Sequence, residues 1–93
     1  MFVGTLLFEL DIPSSYSLKD KRRVLNSLKG KLKNKFNISV SEVGEKNLWN
    51  RGYIAIAIVG DDNKFVDSQL QEVVKFAEFF KDVVVLDVKM EII

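Results

Sequence analysis

Four stretches of the chain have the period-two alternation or the β-branched composition that is typical of strands. The first is Phe2–Asp11, which ends ahead of Pro13, a residue that cannot continue a hydrogen-bonded ladder. Residues 52–60 are the most regular, since β-branched residues alternate with Ala and both faces are apolar. Residues 38–43 and 83–92 also alternate. The pattern therefore predicts four strands.

Two further stretches repeat their apolar residues with the period of about 3.6 that is typical of amphipathic helices. Residues 18–36 carry a stripe formed by Leu18, Leu25, Leu28, Leu32 and Phe36. Ser17 followed by Asp20 is a capping-box variant, which predicts where this helix begins. The second helix is capped by residues 61–63 and has a stripe of Val66, Leu70, Val73, Ala77 and Phe80.

The predicted order, βαββαβ, is the split βαβ arrangement of a ferredoxin-like domain of the α+β class. Each helix is long enough to form a right-handed crossover, and the second and third strands are joined by a short connection. The sequence therefore predicts one domain over residues 1–93, with a four-stranded antiparallel sheet and two helices on one face. The first and third strands are expected to be central.

Residue parity assigns each strand side chain to one of the two sheet faces. The face beneath the helices is predicted to contain Phe2, Leu6, Phe8, Leu10, Ile54, Ile56, Ile58, Val84, Leu86, Val88 and Met90. The open face is predicted to contain Thr5, Leu7, Glu9, Ser39, Ser41, Tyr53, Ala55, Ala57, Asp87 and Lys89. RNA-recognition domains of similar topology stack bases on aromatic side chains of this face, which here offers Tyr53 alone. An RNA-reading sheet is therefore disfavoured.

Small residues on the open face have two interpretations. One is an ordinary solvated surface on which Ala is tolerated. The other is close packing against a second subunit, because Ala and Ser permit near approach while Leu7, Ala57 and Val59 supply apolar area. The second interpretation makes a homodimer, joined through this face or an edge strand, a candidate function.

Charge is segregated along the chain. Overall, 14 Lys and Arg oppose 13 Asp and Glu, a net charge of +1 that excludes a uniformly basic nucleic-acid binder. Residues 14–37 hold eight basic side chains against Asp20 alone, so their net charge is +7 and that of the remainder is −6. The near-neutral total therefore conceals a dipolar molecule.

The first predicted helix places most of this positive charge on one surface. An arc of about 120° beside its apolar stripe contains Lys19, Arg22, Arg23, Lys29 and Lys33. Lys31 and Lys35 lie on the other flank, and Lys21 projects near the stripe itself. Such a helix can contact a phosphate backbone and release counterions. The alternative is a solvated amphipathic helix whose lysines maintain solubility.

The connection between the second and third strands contains the single Trp of the chain. Trp49 and Arg51 are candidate nucleic-acid contacts, since an exposed Trp anchors interfaces and Arg pairs with phosphate. The alternative is that Leu48 and Trp49 cap one end of the core while Arg51 pairs with Glu42 or Glu45. Exposure of Trp49 beside the first helix would favour the interface.

The chain contains no His and no Cys, which excludes disulfides, thiol nucleophiles and imidazole general bases. Glycine-rich phosphate loops and calcium loops are also absent. Glu9, Asp11 and Asp87 are predicted to approach one another on the open face, as a divalent-cation site or as an acidic surface. We expect a protein that is not an enzyme, with no catalytic residue, cofactor, resident metal or small-molecule substrate.

The first residues lack the positive leading segment of a secretory signal, and Glu9 interrupts their apolar run. The longest unbroken apolar run, residues 53–59, is too short to cross a bilayer. A cytoplasmic protein with no membrane partner is expected.

Two stretches carry a family resemblance that extends from the first strand to the last. They are residues 17–25, SLKDKRRVL, and residues 40–43, VSEV, which lead to LWNR at 48–51. In them the chain resembles the YlxP-like family of small bacterial proteins, a domain family of unknown function. Asp20 stands where the family more usually has Glu, and Asn50 where it has Gln.

The resemblance implies a ferredoxin-like α+β domain and a genomic setting beside transcription-elongation, translation-initiation and ribosome-maturation genes. It supplies no catalytic residue or cofactor. The first hypothesis is accordingly a non-enzymatic accessory protein that binds structured RNA or a ribosomal particle through its basic first helix, with Arg51 and Trp49 at the margin. The second is a protein–protein module that forms a homodimer.

Overall fold

Six elements follow one another in the order that the hydrophobic pattern predicts. The computed structural model describes residues 1–93. The elements are β1 (Phe2–Asp11), α1 (Leu18–Lys35), β2 (Ser39–Val43), β3 (Arg51–Gly60), α2 (Asn63–Glu78) and β4 (Val84–Ile92). The bounds differ from the predicted ones by one or two residues, as expected where helices and strands fray.

The four strands form one sheet in the order β2-β3-β1-β4, and every neighbouring pair is antiparallel. β1 and β3 are central, which confirms the prediction for these strands. Both helices contact the sheet from the same side, α1 above β2 and β3 and α2 above β1 and β4. The arrangement is the ferredoxin-like α+β fold that the sequence predicted.

The core lies between the helices and one sheet face. Sixteen apolar residues are buried there, among them Leu6, Phe8 and Leu10 of β1 and Leu25, Leu28 and Leu32 of α1. Gly4 of β1 permits close approach of α2, because a Cβ atom at this position would lie 2.6 Å from Cγ1 of Val66. The predicted apolar stripes of both helices face the sheet, except for Leu18, which is exposed at the start of α1.

β4 departs from the predicted alternation. The pairing of β1 with β4 shifts register between Glu9 and Leu10, so that Leu10 lies opposite Val85 instead of Leu86. This β-bulge interrupts the strict parity of the strand. Val84 and Leu86 are consequently exposed, by 49% and 48%, and their predicted place beneath the helices is wrong.

Val85, which the simple alternation did not select, packs against the core in their place. Val88 and Ile92 also pack against the core, which confirms the prediction for Val88, whereas Met90 is 37% exposed. Val83, immediately before the strand, is also buried. The N-terminal half of β4 therefore presents the opposite set of side chains to the helices.

Candidate nucleic-acid interface

The start of α1 is fixed by a reciprocal set of hydrogen bonds. Ser17 is the N-cap, and its hydroxyl accepts from the backbone N–H of Asp20 at 3.1 Å. Asp20 Oδ2 in turn accepts from the backbone N–H of Tyr16 at 3.1 Å. A standard capping box would use the N–H of the N-cap, Ser17, which is one residue later. Arg23 Nη2 pairs with Asp20 Oδ1 at 2.6 Å. The capping box therefore holds Tyr16 and Arg23 near the same carboxylate.

These contacts stabilise the ionised form of Asp20. The backbone hydrogen bond from Tyr16 is the main cause that lowers the pKa of the carboxyl, and desolvation opposes it in part. The hydroxyl of Ser17 and the positive charges of Arg23 and Lys19 lower the pKa further. Asp20 is therefore a negative charge fixed at the positive end of the helix.

Lys21 turns inward from the first turns of α1 and is only 1% exposed. Its ammonium group donates to the carbonyl oxygens of Leu48 at 2.7 Å, Lys46 at 3.3 Å and Glu45 at 3.4 Å. It also lies 3.4 Å from Oε2 of Glu42 on β2, which neutralises it. One buried cation thus fastens the connection of residues 44–50 to the helix.

Two further contacts hold the same connection. The buried hydroxyl of Ser15 donates to the carbonyl oxygen of Trp49, and it lies 3.0 Å from that of Ser17. The backbone N–H of Ile12 donates to the carbonyl oxygen of Asn50 at 2.9 Å. The Trp-containing connection is therefore positioned by the segment that joins β1 to α1.

Trp49 lies at the surface, stacked on Tyr16. Their ring centroids are 6.2 Å apart and the planes differ by 21°. Tyr16 is 80% exposed, Trp49 is 45% exposed and Leu48 is 41% exposed. The alternative in which Leu48 and Trp49 cap the core is therefore wrong. We call Tyr16 and Trp49 the aromatic pair.

The structure divides the basic residues of α1 between two sides of the helix. Lys19, Arg22 and Lys33 are exposed and Lys29 is half-buried. Their spacing places them on the side of α1 turned away from α2. We call these four residues the basic flank. Arg23, predicted to belong with them, lines the groove between α1 and α2 together with Lys31 and Lys35.

Arg51 does not join this surface. It lies on the open sheet face, where its Nη1 pairs with Oε2 of Glu9 at 2.7 Å, and the hydroxyl of Tyr53 donates to the same oxygen at 3.4 Å. The predicted pairing with Glu42 or Glu45 is wrong, because Glu42 points beneath α1 and is engaged there. The open face and the basic flank are therefore separate surfaces.

The carboxylates of the open face do not form a metal centre. Glu9 and Asp87 are register partners on β1 and β4, but no group of three or more His, Cys, Asp or Glu side chains is arranged to hold a metal ion. Glu9 is engaged by Arg51 instead. The acidic surface is thus the interpretation that the geometry favours.

Sequence reasoning overlooked Tyr16, Ser15 and the role of Lys21. Lys21 carried a usable signal, because it falls on the apolar stripe of α1, where a cation must find oxygen partners. Tyr16 precedes the N-cap and belongs to no periodic pattern. Its stacking on Trp49 depends on a contact between segments 33 residues apart, which only the tertiary structure shows.

The fold and its surface define a ferredoxin-like α+β domain with a basic helix. Two solved structures, those of the de novo designed proteins Foldit4 and Ferredog-Diesel, have the same fold. Foldit4 superposes with a TM-score of 0.54 at 12% identity, over 100% of this chain and 97% of that chain. For Ferredog-Diesel the TM-score is 0.50 at 10% identity, over 96% and 83% of the two chains. These similarities show the fold alone.

The chain belongs to the family described as "Protein of unknown function (DUF503)", which it matches over residues 3–90. It is also 35% identical over 81 residues to "Uncharacterized protein YlxP" of Bacillus subtilis (strain 168), covering 87% of this chain and 88% of that protein. These findings confirm the resemblance to the YlxP-like family. No helix in the structure is both long and apolar enough to span a membrane.

Proposed function

We propose that this protein is a cytoplasmic, non-enzymatic accessory protein that binds structured RNA or a ribosomal particle through α1. One observation carries the proposal. The exposed aromatic pair is fixed at the N-terminal end of a helix whose basic flank is free of acidic partners. Cations that contact phosphates and aromatic rings that stack on unpaired bases are the two devices that RNA-binding surfaces combine.

Each part of the surface has a distinct role in this proposal. Lys19, Arg22, Lys29 and Lys33 contact phosphates along the helix. Tyr16, at 80% exposure, offers its outer ring face to an unstacked base, while its inner face rests on Trp49. Recognition would follow RNA shape and backbone more than sequence, because no side chain on the flank is placed to read a base edge.

The buried support beneath the aromatic pair favours binding. A flexible loop would lose conformational entropy when it bound, which subtracts from affinity. Here Lys21 and Ser15 hold the backbone of residues 45–49 in the unbound protein. The entropy cost of ordering this backbone is therefore already included in folding, and Trp49 is presented next to Tyr16.

Co-sedimentation with ribosomal subunits across a salt series tests the proposal. The double variant Arg22→Glu, Lys33→Glu reverses two exposed charges of the flank and should strongly reduce co-sedimentation. Lys64→Glu, Lys89→Glu is the matched control, since both lysines are exposed and lie on other elements. Association that survives the flank reversal, or that does not depend on salt, would refute RNA binding through α1.

A second experiment tests the aromatic pair. Tyr16→Ala should weaken binding to structured ribosomal RNA by about tenfold, because base stacking on one ring contributes about 1–3 kcal/mol. Phe65→Ala is the control, since Phe65 is 55% exposed but lies on α2. Equal affinities of the two variants would show that the aromatic pair takes no part.

A homodimer is the second candidate function. The observation that favours it is a shallow trough of about 650 Å³ on the open sheet face, floored by small residues that include Ala55 and Ala57. Val59 of β3 is 64% exposed. The molar mass from light scattering at high protein concentration tests this function. A protein that remains monomeric there does not act as a homodimer.

A further inference from the structure

A groove of about 970 Å³ runs between α1 and α2, on the side of α1 opposite the basic flank. Its apolar lining comes from Val24 and from three aromatic residues near the C-terminal end of α2, Phe76, Phe79 and Phe80. Phe79 is 88% exposed, the same as the N-terminal Met1. A Phe ring left in water at the mouth of a groove is an unused apolar contact.

The walls of the groove are strongly cationic. Five basic residues line it, namely Arg23, Lys31, Lys35, Lys75 and Lys81. Glu72 and Asp82 are its two carboxylates, which leaves a net charge of +3. Arg23 is also paired with Asp20, just outside the groove, whereas none of the four lysines forms an ion pair.

The lysines are placed over the aromatic rings. Lys31 Nζ lies 5.4 Å from the ring centroid of Phe80, and Lys35 Nζ lies 5.4 Å from that of Phe76 and 5.8 Å from that of Phe36. Cation–π attraction holds the ammonium groups against the apolar lining. Positive charge and apolar surface therefore alternate at short range inside one groove.

We propose that this groove binds an acidic peptide segment that carries apolar side chains. Its carboxylates would pair with Lys31 and Lys35, and an apolar side chain would cover the ring of Phe79. The proposal is independent of RNA binding, because the groove and the basic flank lie on different sides of α1.

The ring faces of Phe76 and Phe80 favour a peptide over RNA. A nucleobase stacks on a free aromatic face, but ammonium groups already lie over Phe76 and Phe80. A carboxylate requires no such face and gains from an ammonium that is already ordered by a ring. The exposed ring of Phe79 also matches an aliphatic or aromatic side chain better than a phosphate, which it would desolvate.

Fluorescence anisotropy with defined probes tests the inference. The probe is a short fluorescein-labelled peptide in which Glu alternates with Leu and Phe. One comparison peptide has Lys in place of Glu, and a second has Ser in place of the apolar residues. We expect binding of the first peptide alone, because each comparison removes one of the two complementary features.

Variants of the groove locate the site. Lys31→Glu and Phe79→Ser should each weaken binding of the probe by about tenfold, through lost charge complementarity and lost apolar contact respectively. Both side chains are exposed, so neither change disturbs the core. Lys64→Glu and Phe65→Ser make the same substitutions on the exposed part of α2 outside the groove and should leave the affinity unchanged.

The flank variant Arg22→Glu, Lys33→Glu separates this inference from the proposed function. It should bind the acidic peptide normally even where RNA binding is lost. The inference is overturned if the peptide does not bind, or if its affinity is the same for Lys31→Glu and Lys64→Glu. A third outcome also overturns it. If Lys31→Glu weakens the binding of labelled oligouridylate but leaves the affinity for the peptide unchanged, the groove belongs to an RNA surface.

Discussion

Lys21 is the residue on which the candidate interface depends. A buried ammonium is costly unless it is both paired and hydrogen-bonded. Lys21 meets both conditions, with Glu42 as its counter-ion and three carbonyl oxygens of residues 45–48 as acceptors. Because these acceptors belong to a connection without regular structure, Lys21 fixes the path of the backbone that carries Trp49 together with Ser15 and the N–H of Ile12.

The variant Lys21→Met should be less stable by about 2 kcal/mol, because Glu42 and three carbonyl groups lose their partner while the apolar volume is kept. Urea unfolding measures the change. The emission of Trp49 should shift to longer wavelength in the folded variant, since the connection that positions its ring is released. Lys33→Met, at an exposed position of the same helix, is the control and should change stability by less than about 0.5 kcal/mol. Equal unfolding midpoints for the two variants would contradict this role of Lys21.

Asp20 makes the N-terminal end of α1 sensitive to acid. Its pKa is lowered in the folded protein, chiefly by the backbone N–H of Tyr16, so the carboxylate contributes stability above its unfolded pKa. That contribution is lost as the pH falls through the folded pKa, below the usual value of 3.8. Wild-type protein should therefore exceed Asp20→Asn in stability at pH 6, and the difference should shrink as the pH falls below about 4. Thermal unfolding across this range measures it, and a constant difference would contradict the assignment.

At the scale of elements, three sides of α1 have different surroundings. The stripe of Leu25, Leu28 and Leu32 packs on the sheet. The basic flank faces away from α2, and Lys31 and Lys35 face the groove toward it. Periodicity alone placed these three leucines on the stripe and separated Lys31 and Lys35 from the flank, because the period of the helix fixes which residues share a face. Arg23, predicted on the flank, lines the groove instead.

Two glycines of the same fold should respond to Ala in opposite ways. At Gly4 the added Cβ would lie 2.6 Å from Val66 and 2.8 Å from Leu70, so Gly4→Ala should be destabilised by about 1–3 kcal/mol. At Gly30 of α1 nothing lies within 4 Å, and Gly30→Ala should be more stable by about 0.5–1 kcal/mol. Urea unfolding of both variants measures the signs. A stabilised Gly4→Ala would mean that α2 does not pack against β1 as closely as the structure shows.

The elements also show how far the sequence predicts the structure. The fold followed from periodicity, since the alternation of β1 and β3 and the stripes of both helices each agree with one architecture. The bulge of β4 could not be predicted from periodicity. Residues 83–88 are apolar at almost every position, so they fit either register. The cations of the candidate interface were visible in sequence, whereas the aromatic pair and the path of residues 44–50 required long-range contacts.

At the scale of the molecule, positive charge is concentrated on α1. Residues 14–37 have a net charge of +7 and the remainder of the chain −6. Residues 61–82, which include α2, carry six carboxylates against three lysines. The open face carries Glu9, Asp87 and Glu91 beside Arg51 and Lys89. A polyanion is therefore attracted most strongly to the α1 side of the molecule, which orients its approach.

The salt dependence of RNA affinity separates the two parts of the proposed surface. Each phosphate neutralised by a cation contributes about 0.7–0.9 to the slope of log affinity against log salt concentration. Arg22→Glu, Lys33→Glu should therefore flatten the slope by about 1.5, because two phosphate contacts are lost. Tyr16→Ala should lower the affinity at every salt concentration without changing the slope, since stacking releases no counterions. Anisotropy titrations with a labelled ribosomal RNA hairpin measure both quantities. A slope that Arg22→Glu, Lys33→Glu leaves unchanged would show that the flank contacts no phosphate, whatever the affinity.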